Sequence, residues 1–194
     1  MNDRELMDWY SSGAYRERTG AIDADNLRGI VQHEQRAKYL VELMGKSVFT
    51  SHLDIGCSSG ELLRAVKAKF PDIYQMGVDI DPVLSTDEFE IVPDIDMIDR
   101  EFDLITIIQT LEHLNDPNRM MYMIWERLKT SGLLMLEVPN RRSWMAAYAA
   151  PQHVVAYDND SLLSLLHDFK VMMVLPHGKP DSVLDLNLLV LATK

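Results

Sequence analysis

Two carboxylates and a pair of glycines carry the clearest chemistry in this chain. They begin in the stretch Leu53-Asp54-Ile55-Gly56-Cys57-Ser58-Ser59-Gly60. It reads as a buried strand, a tight turn and the start of a helix. Such a passage brings backbone N–H groups and the positive end of a helix to an open crevice, where a nucleotide-like ligand can be held. Asp54 narrows the ligand. A phosphate beside it would be repelled, whereas an amine or a sulfonium-bearing amino acid would be attracted. The dinucleotide fingerprint G-x-G-x-x-G is incomplete, because only Gly56 and Gly60 are present. A second acid, Asp79, follows Gly60 at about the 20-residue interval at which a carboxylate meets ribose hydroxyls in nucleotide-binding βαβ units. Two acidic strand tips flanking one helix say more than either alone, the alternative being that both only cap turns.

The elements that must position these groups follow from periodicity. Val48 to Asp54 predicts a first strand, and Gly60 to Phe70 a helix with Leu62, Leu63, Val66 and Phe70 on one face, closed by Pro71. Ser58 with Glu61 three residues on fits a capping box for that helix. Tyr74 to Ile80 predicts a second strand and Glu90 to Pro93 a brief third. Phe102 to Ile108 is a β-branched run of the kind buried in parallel sheets. It leads into a loop of mixed chemistry, Gln109-Thr110-Leu111-Glu112-His113-Leu114.

Asp116-Pro117 opens another helix as cap and first residue. Met120, Met121, Ile124, Trp125 and Leu128 form its buried face, and Thr130-Ser131-Gly132 its stop. Its methionines read as core filling. Leu133 to Val138 predicts a fifth strand, 144–149 a helical patch, and Ser161 to Phe169 a helix capped by Asp158 or Asp160. Val171 to Leu175 and Val183 to Leu191 predict the final strands, joined by the turn His177-Gly178-Lys179-Pro180. Upstream, Leu27 to Met44 has helical spacing, and residues 1–26 form a polar arm or flap carrying Trp9, Tyr10 and Tyr15. Strands alternate with helices, so the class is α/β with a mostly parallel sheet. Residues 27–194 are expected to form a single domain.

Composition bounds the partners. Nineteen basic against 30 acidic side chains give a formal charge of −11, which argues against nucleic acid or an anionic membrane as main partner. Cys57 is the only cysteine, so neither an internal disulfide nor a Cys-rich zinc or iron–sulfur site can form, and no metal is expected. The charged first ten residues are unlike a signal peptide, and no apolar run approaches the ~20 residues of a membrane helix. A cytoplasmic location is the default.

With these motifs placed, the chain from about Leu27 onward resembles the class I S-adenosylmethionine (SAM)-dependent methyltransferases, in particular a small-molecule-type subgroup. Leu53 to Gly60 resembles the family's first motif. Gly77-Val78-Asp79-Ile80-Asp81 resembles the ribose-binding motif of its second strand. Phe102 to Pro117 is similar to the fourth-strand signature, and Leu128-Lys129-Thr130-Ser131-Gly132 to the stretch that usually reads Leu-Lys-Pro-Gly-Gly. Glu137-Val138-Pro139-Asn140 and Pro151-Gln152-His153 with Tyr157 carry the subgroup resemblance. Ser58 stands where many members have glycine.

The resemblance implies a Rossmann-like, doubly wound, mostly parallel seven-stranded sheet with an antiparallel last strand and helices on both faces. It implies SAM as cofactor, held by Asp54, Gly56, Cys57, Ser58, Gly60, Asp79 and Ile80. Asp94 and Ile95 would meet the adenine, and Gln109, Thr110 and Leu111 would run past the sulfonium. SAM brings an activated leaving group, so alignment and exclusion of water are the protein's main tasks. A hydroxyl acceptor also needs a base with pKa near 7, for which His113 and His153 are the candidates, each also readable as a structural residue. Glu112 reads as structural. Asn140, Tyr157 and Tyr15 are the expected acceptor contacts. The acceptor is expected to be a small molecule, with oxygen favoured over nitrogen or carbon. Competing readings are a non-catalytic SAM-binding module and, less well supported, a nicotinamide-dependent oxidoreductase.

Overall fold

The computed structural model describes residues 34, 36–38, 42, 49–80, 89–141, 153–177 and 187–194. The N-terminal arm with Tyr15, most of the 27–44 helix, the 144–149 patch and most of the turn before the last strand lie outside the described residues. Within 27–44, Glu34, Arg36, Ala37, Lys38 and Glu42 are helical. The chain divides into two compact units, 2–98 and 99–194.

The first unit is built on β1 (Ser51–Ile55), α1 (Glu61–Lys69), β2 (Tyr74–Val78) and β3 (Glu90–Val92). Its strands run parallel in the order β3-β2-β1, with Asp54 opposite Gly77 and Ile55 opposite Val78. Every residue of β1 is buried, and α1 turns Leu62, Leu63 and Val66 inward while Lys67 and Lys69 close its last turn. Each buried leucine or valine contributes about 1.5–3 kcal/mol over an exposed one.

Among the described polar side chains of this unit, that of His52 is the most deeply buried. His52 has no exposed surface; Gln75 Nε2 sits 3.1 Å from its Nδ1 and donates to the Leu63 carbonyl at 2.9 Å. Burial pushes the pKa of His52 down to about 3, so the folded ring stays neutral while the unfolded chain takes up a proton near pH 6.5. Between those values the unfolded state binds more protons, so stability falls as pH falls from 6.5 toward 3, by up to about 1.4 kcal/mol per pH unit. Urea unfolding between pH 7 and 4.5 should show this slope, and His52→Asn should flatten it. An equal slope in both proteins would reject the assignment.

The second unit holds β4 (Phe102–Ile108), α2 (Pro117–Arg127), β5 (Leu128–Pro139), α3 (Asn159–Leu165), β6 (Lys170–His177) and β7 (Asn187–Thr193). Its strand order is β4-β5-β7-β6. β4 and β5 are parallel, whereas β7 lies between β5 and β6 and runs antiparallel to both. The expected α/β class with seven strands, parallel except at the end, is therefore met. No helix among the described residues is long and apolar enough to cross a membrane.

Three local expectations are corrected. The N-cap of α1 is Gly60, not Ser58, and no side chain caps it; the Glu61 carboxylate bonds the Ser59 hydroxyl instead. The stretch Thr130-Ser131-Gly132 does not separate helix from strand, because β5 begins at Leu128, directly after α2. Leu128 pairs with Phe102 and the next register pair is Leu104 with Leu133, so Lys129 to Gly132 bulge out between them. Ser131 takes φ 64° there, and Lys129 Nζ reaches Asp103 at 2.9 Å. On α2, Met123 is buried along with Met121 and Ile124, while Met120 is only half-buried. The caps of the other helices are as expected. Asp116 accepts from Arg119 N–H at 2.9 Å, and Asp158, not Asp160, forms a capping box with Ser161.

Candidate active site

In the first unit the turn after β1 is wound by three residues of positive φ: Gly56 at 72°, Ser58 at 48° and Gly60 at 83°. Its amides are spent internally. Gly56 and Cys57 N–H both donate to the Val78 carbonyl at 2.7 and 3.1 Å, and Gly60 N–H donates to the Cys57 carbonyl at 2.8 Å. Ser58 N–H donates to Asp79 Oδ2 at 2.8 Å. That bond ties the turn to the tip of the second strand and fixes the carboxylate.

Two close approaches hold the arrangement. A Cβ on Gly60 would lie 2.1 Å from the Phe89 ring, and one on Gly77 would lie 2.5 Å from Cys57 Sγ. Cys57 is buried against Leu63 and Phe89. Burial, with Asp54 and Asp79 nearby, pushes its thiol pKa far up, so the thiol is inert and its side chain serves packing. Phe89, which sequence reasoning missed, closes the floor beneath the turn and lies under the Arg64 guanidinium, 5.5 Å from the ring centroid.

This geometry bears on the ligand. A phosphate cradle needs amides that are free to donate, and here those of Gly56 and Cys57 go to the Val78 carbonyl, that of Ser58 to the Asp79 carboxylate and that of Gly60 to the Cys57 carbonyl. What the turn offers is carboxylate: Asp54, buried at the strand tip, and Asp79, half-buried. An ionised carboxylate carries about four acceptor sites, so Asp79 can take hydroxyls besides the Ser58 amide. This pair of acceptors fits the ribose hydroxyls and the ammonium group of SAM, which donate. Ile80 follows Asp79 and is half-buried. Asp94 caps a 3-10 turn, Ile95–Met97, by accepting from Asp96 N–H at 2.9 Å, and the Ile95 side chain is 1% exposed and packs inward.

In the second unit the end of β4 turns through Gln109, with φ 50°, into the 3-10 turn Leu111–His113. Gln109 Nε2 donates to Glu137 Oε1 at 3.1 Å, and Asn187 Nδ2 donates to the same oxygen at 3.2 Å. Thr110 Oγ1 donates to the Ile108 carbonyl, and Leu111 is fully buried.

The structure brings the two candidate bases together. Val154 and Val155 N–H donate to the Glu112 carbonyl at 2.9 and 3.2 Å. They thereby pin a segment that lies far downstream in the sequence onto the turn. The His113 and His153 rings meet edge-to-face with centroids 4.8 Å apart. Burial lowers the pKa of His153, keeping the ring neutral. Asn140 bridges to Tyr157, so the two expected acceptor contacts are also neighbours.

Between these groups lies Glu112, 2% exposed. Neither of its carboxylate oxygens has a hydrogen-bond partner among the described residues, and the same holds for the buried Tyr157 hydroxyl. Burial, with Glu137 adding repulsion, outweighs the opposing pull of the residue's own backbone amide and raises the Glu112 pKa to about 7. Burial, and then Glu112, raises that of Tyr157. The sequence marked Glu112 only as a structural neighbour of His113. That neither oxygen makes a hydrogen bond is visible only in three dimensions.

A curated trans-aconitate 2-methyltransferase of Deinococcus radiodurans is 27% identical over 111 residues, 53% of this chain. That match spans 43% of the relative's own length, so the chain matches less than half of it. Among solved structures, a SAM-dependent methyltransferase from Clostridium acetobutylicum ATCC 824 superposes with a TM-score of 0.72 at 15% identity, covering 93% of this chain and 98% of that one. Magnesium protoporphyrin IX methyltransferase from Synechocystis PCC 6803, solved with S-adenosylhomocysteine (SAH) bound, superposes with a TM-score of 0.70 at 13% identity over the full length of both chains. The profile of the methyltransferase domain family matches residues 6–173, and the chain belongs to that family.

Proposed function

We propose that this protein transfers the methyl group of SAM to an oxygen of a small-molecule acceptor. The observation that carries the cofactor reading is the Ser58–Asp79 bond within a turn whose amides are otherwise spent internally. Such a turn suits a cationic, phosphate-free ligand. In this reading Asp79 takes the ribose hydroxyls and Asp54 favours the amino-acid portion. The backbone of Gly56 to Gly60 lines the path, with Cys57 contributing main chain only. Ile80, Asp94 and Ile95 border the adenine, and Gln109 to Leu111 border the reacting end. SAM supplies an electrophilic methyl on a leaving group that departs as a neutral thioether.

The small-molecule acceptor is supported by the kinds of substrate named for the relatives, trans-aconitate and magnesium protoporphyrin IX. Oxygen is supported by the paired imidazoles. A hydroxyl must lose its proton before or during attack, and a neutral, half-buried His153 beside His113 is suited to receive it on a ring nitrogen. Asn140 and Tyr157 border the acceptor.

Calorimetry with SAM, SAH and NAD in parallel tests the reading. Binding of SAM and SAH but not NAD is expected, and a preference for NAD would overturn it. His153→Ala should lower kcat at least about a hundredfold, the usual scale of a lost general base, with SAM affinity intact. Normal turnover would remove His153 from the mechanism. Tight SAM binding with no turnover on any hydroxylated acceptor would favour a non-catalytic module.

A further inference from the structure

We propose that Glu112, His113 and His153 form a binding site for a divalent first-row transition ion. The ligating atoms of all three lie within 4.8 Å of one another, and His113 Nε2 is 3.8 Å from Glu112 Oε1. Ligands about 2.1 Å from a shared ion stand roughly 3.0–3.5 Å apart. Closing the set therefore needs side-chain adjustments of about an ångström. The backbone is already fastened for this, because Val154 and Val155 N–H clamp the His153 segment to the Glu112 carbonyl.

The independent observation is the carboxylate itself. Other buried acids of this unit have partners. Glu137 accepts from Gln109 and Asn187, and Asp158 accepts from Ser161 N–H and pairs with Arg141 at 2.7 Å. Glu112 is as buried as these, yet both its oxygens lack a hydrogen bond among the described residues. A carboxylate left so must either hold a proton or find a counter-charge. A cation between Glu112 and the two imidazoles supplies that counter-charge.

Two imidazoles and one carboxylate are the ligand chemistry of Zn²⁺, Mn²⁺ and Fe²⁺ rather than of Mg²⁺ or Ca²⁺. The expectation that no metal binds came from the single cysteine, which excludes thiolate sites and leaves imidazole–carboxylate sites untouched. Three protein ligands leave a coordination position open. An ion held at this site would ease loss of an acceptor hydroxyl's proton to water near neutral pH, and the oxygen would bond to the methyl carbon as the carbon–sulfur bond of SAM breaks and SAH leaves as a neutral thioether. This role rests on the methyl-transfer reading, with the imidazoles acting through the ion. Metal binding does not rest on it.

The test uses the full chain stripped with EDTA and titrated with Zn²⁺ and Mn²⁺ by calorimetry, with thermal melts alongside. One ion per chain is expected, with Tm rising as the ion is added. Glu112→Gln and His153→Ala should each weaken binding at least about tenfold and abolish the Tm rise, while SAM affinity shows that both variants are folded. No binding by the wild type, or equal binding by both variants, overturns the site. A protein that binds SAM and turns over in EDTA overturns the metal's role and leaves the methyltransferase reading standing. A protein that binds metal but not SAM does the reverse.

Discussion

Asp79→Ala should raise the Kd for SAM about a hundredfold while the protein stays folded. Hydrogen bonds to a charged group contribute about 1.5–3 kcal/mol each, and a factor of 100 corresponds to about 2.7 kcal/mol. The carboxylate has a second task, since its Oδ2 accepts the Ser58 amide at 2.8 Å. Alanine therefore both removes the ribose acceptor and loosens the turn. Asp79→Asn separates the two effects, because the amide oxygen can still accept from Ser58 while the charge is gone. The asparagine variant should keep the wild-type Tm and bind SAM with intermediate affinity. Calorimetry and a thermal melt on the three proteins suffice. Unchanged affinity in Asp79→Ala at a normal Tm would sink the assignment.

The largest effect on folding should come from Gly60→Ala. The backbone there is left-handed at φ 83°, and a Cβ would lie 2.1 Å from the Phe89 ring. Left-handed geometry alone costs a non-glycine residue about 1–2 kcal/mol, and forcing atoms into a packed neighbour adds about 1–3 kcal/mol. A total loss of about 2–5 kcal/mol is expected in urea unfolding. The two contributions can be told apart by adding Phe89→Leu, which shortens the obstructing side chain. Measured against Phe89→Leu alone, Gly60→Ala should then cost only the backbone share. A loss below about 0.5 kcal/mol in the single variant would mean that the turn is not built as described.

How far the sequence revealed this molecule depended on the range of the interactions involved. β4 is found at Phe102–Ile108, the bounds expected from its pattern, because a β-branched run states its own burial. Asp54 and Asp79 were readable because a strand tip and a fixed interval are local features. The start of α1 was misread because the Ser58 amide is committed to Asp79, 21 residues away. The bulge of Lys129 to Gly132 depends on Phe102 and Asp103 in another strand. Glu112 is the sharpest case. Its surroundings are decided by a segment far downstream that local sequence cannot place beside it.

The position of β7 has a consequence for how the second unit assembles. Among the described residues β6 is joined to the sheet only through β7, which in turn pairs with β5 across long stretches of chain, as Leu133 does with Thr193 and Glu137 with Leu189. Contacts so far apart in sequence carry a large loop-closure cost before any stabilisation is returned, so they form late. Until β7 arrives, β5 presents Leu134, Met135, Leu136 and Val138 along an unpaired edge, a template for another chain. Insertion of β7 is thus the step that commits this half of the molecule, and the time before it is when a crowded solution can divert folding into aggregation.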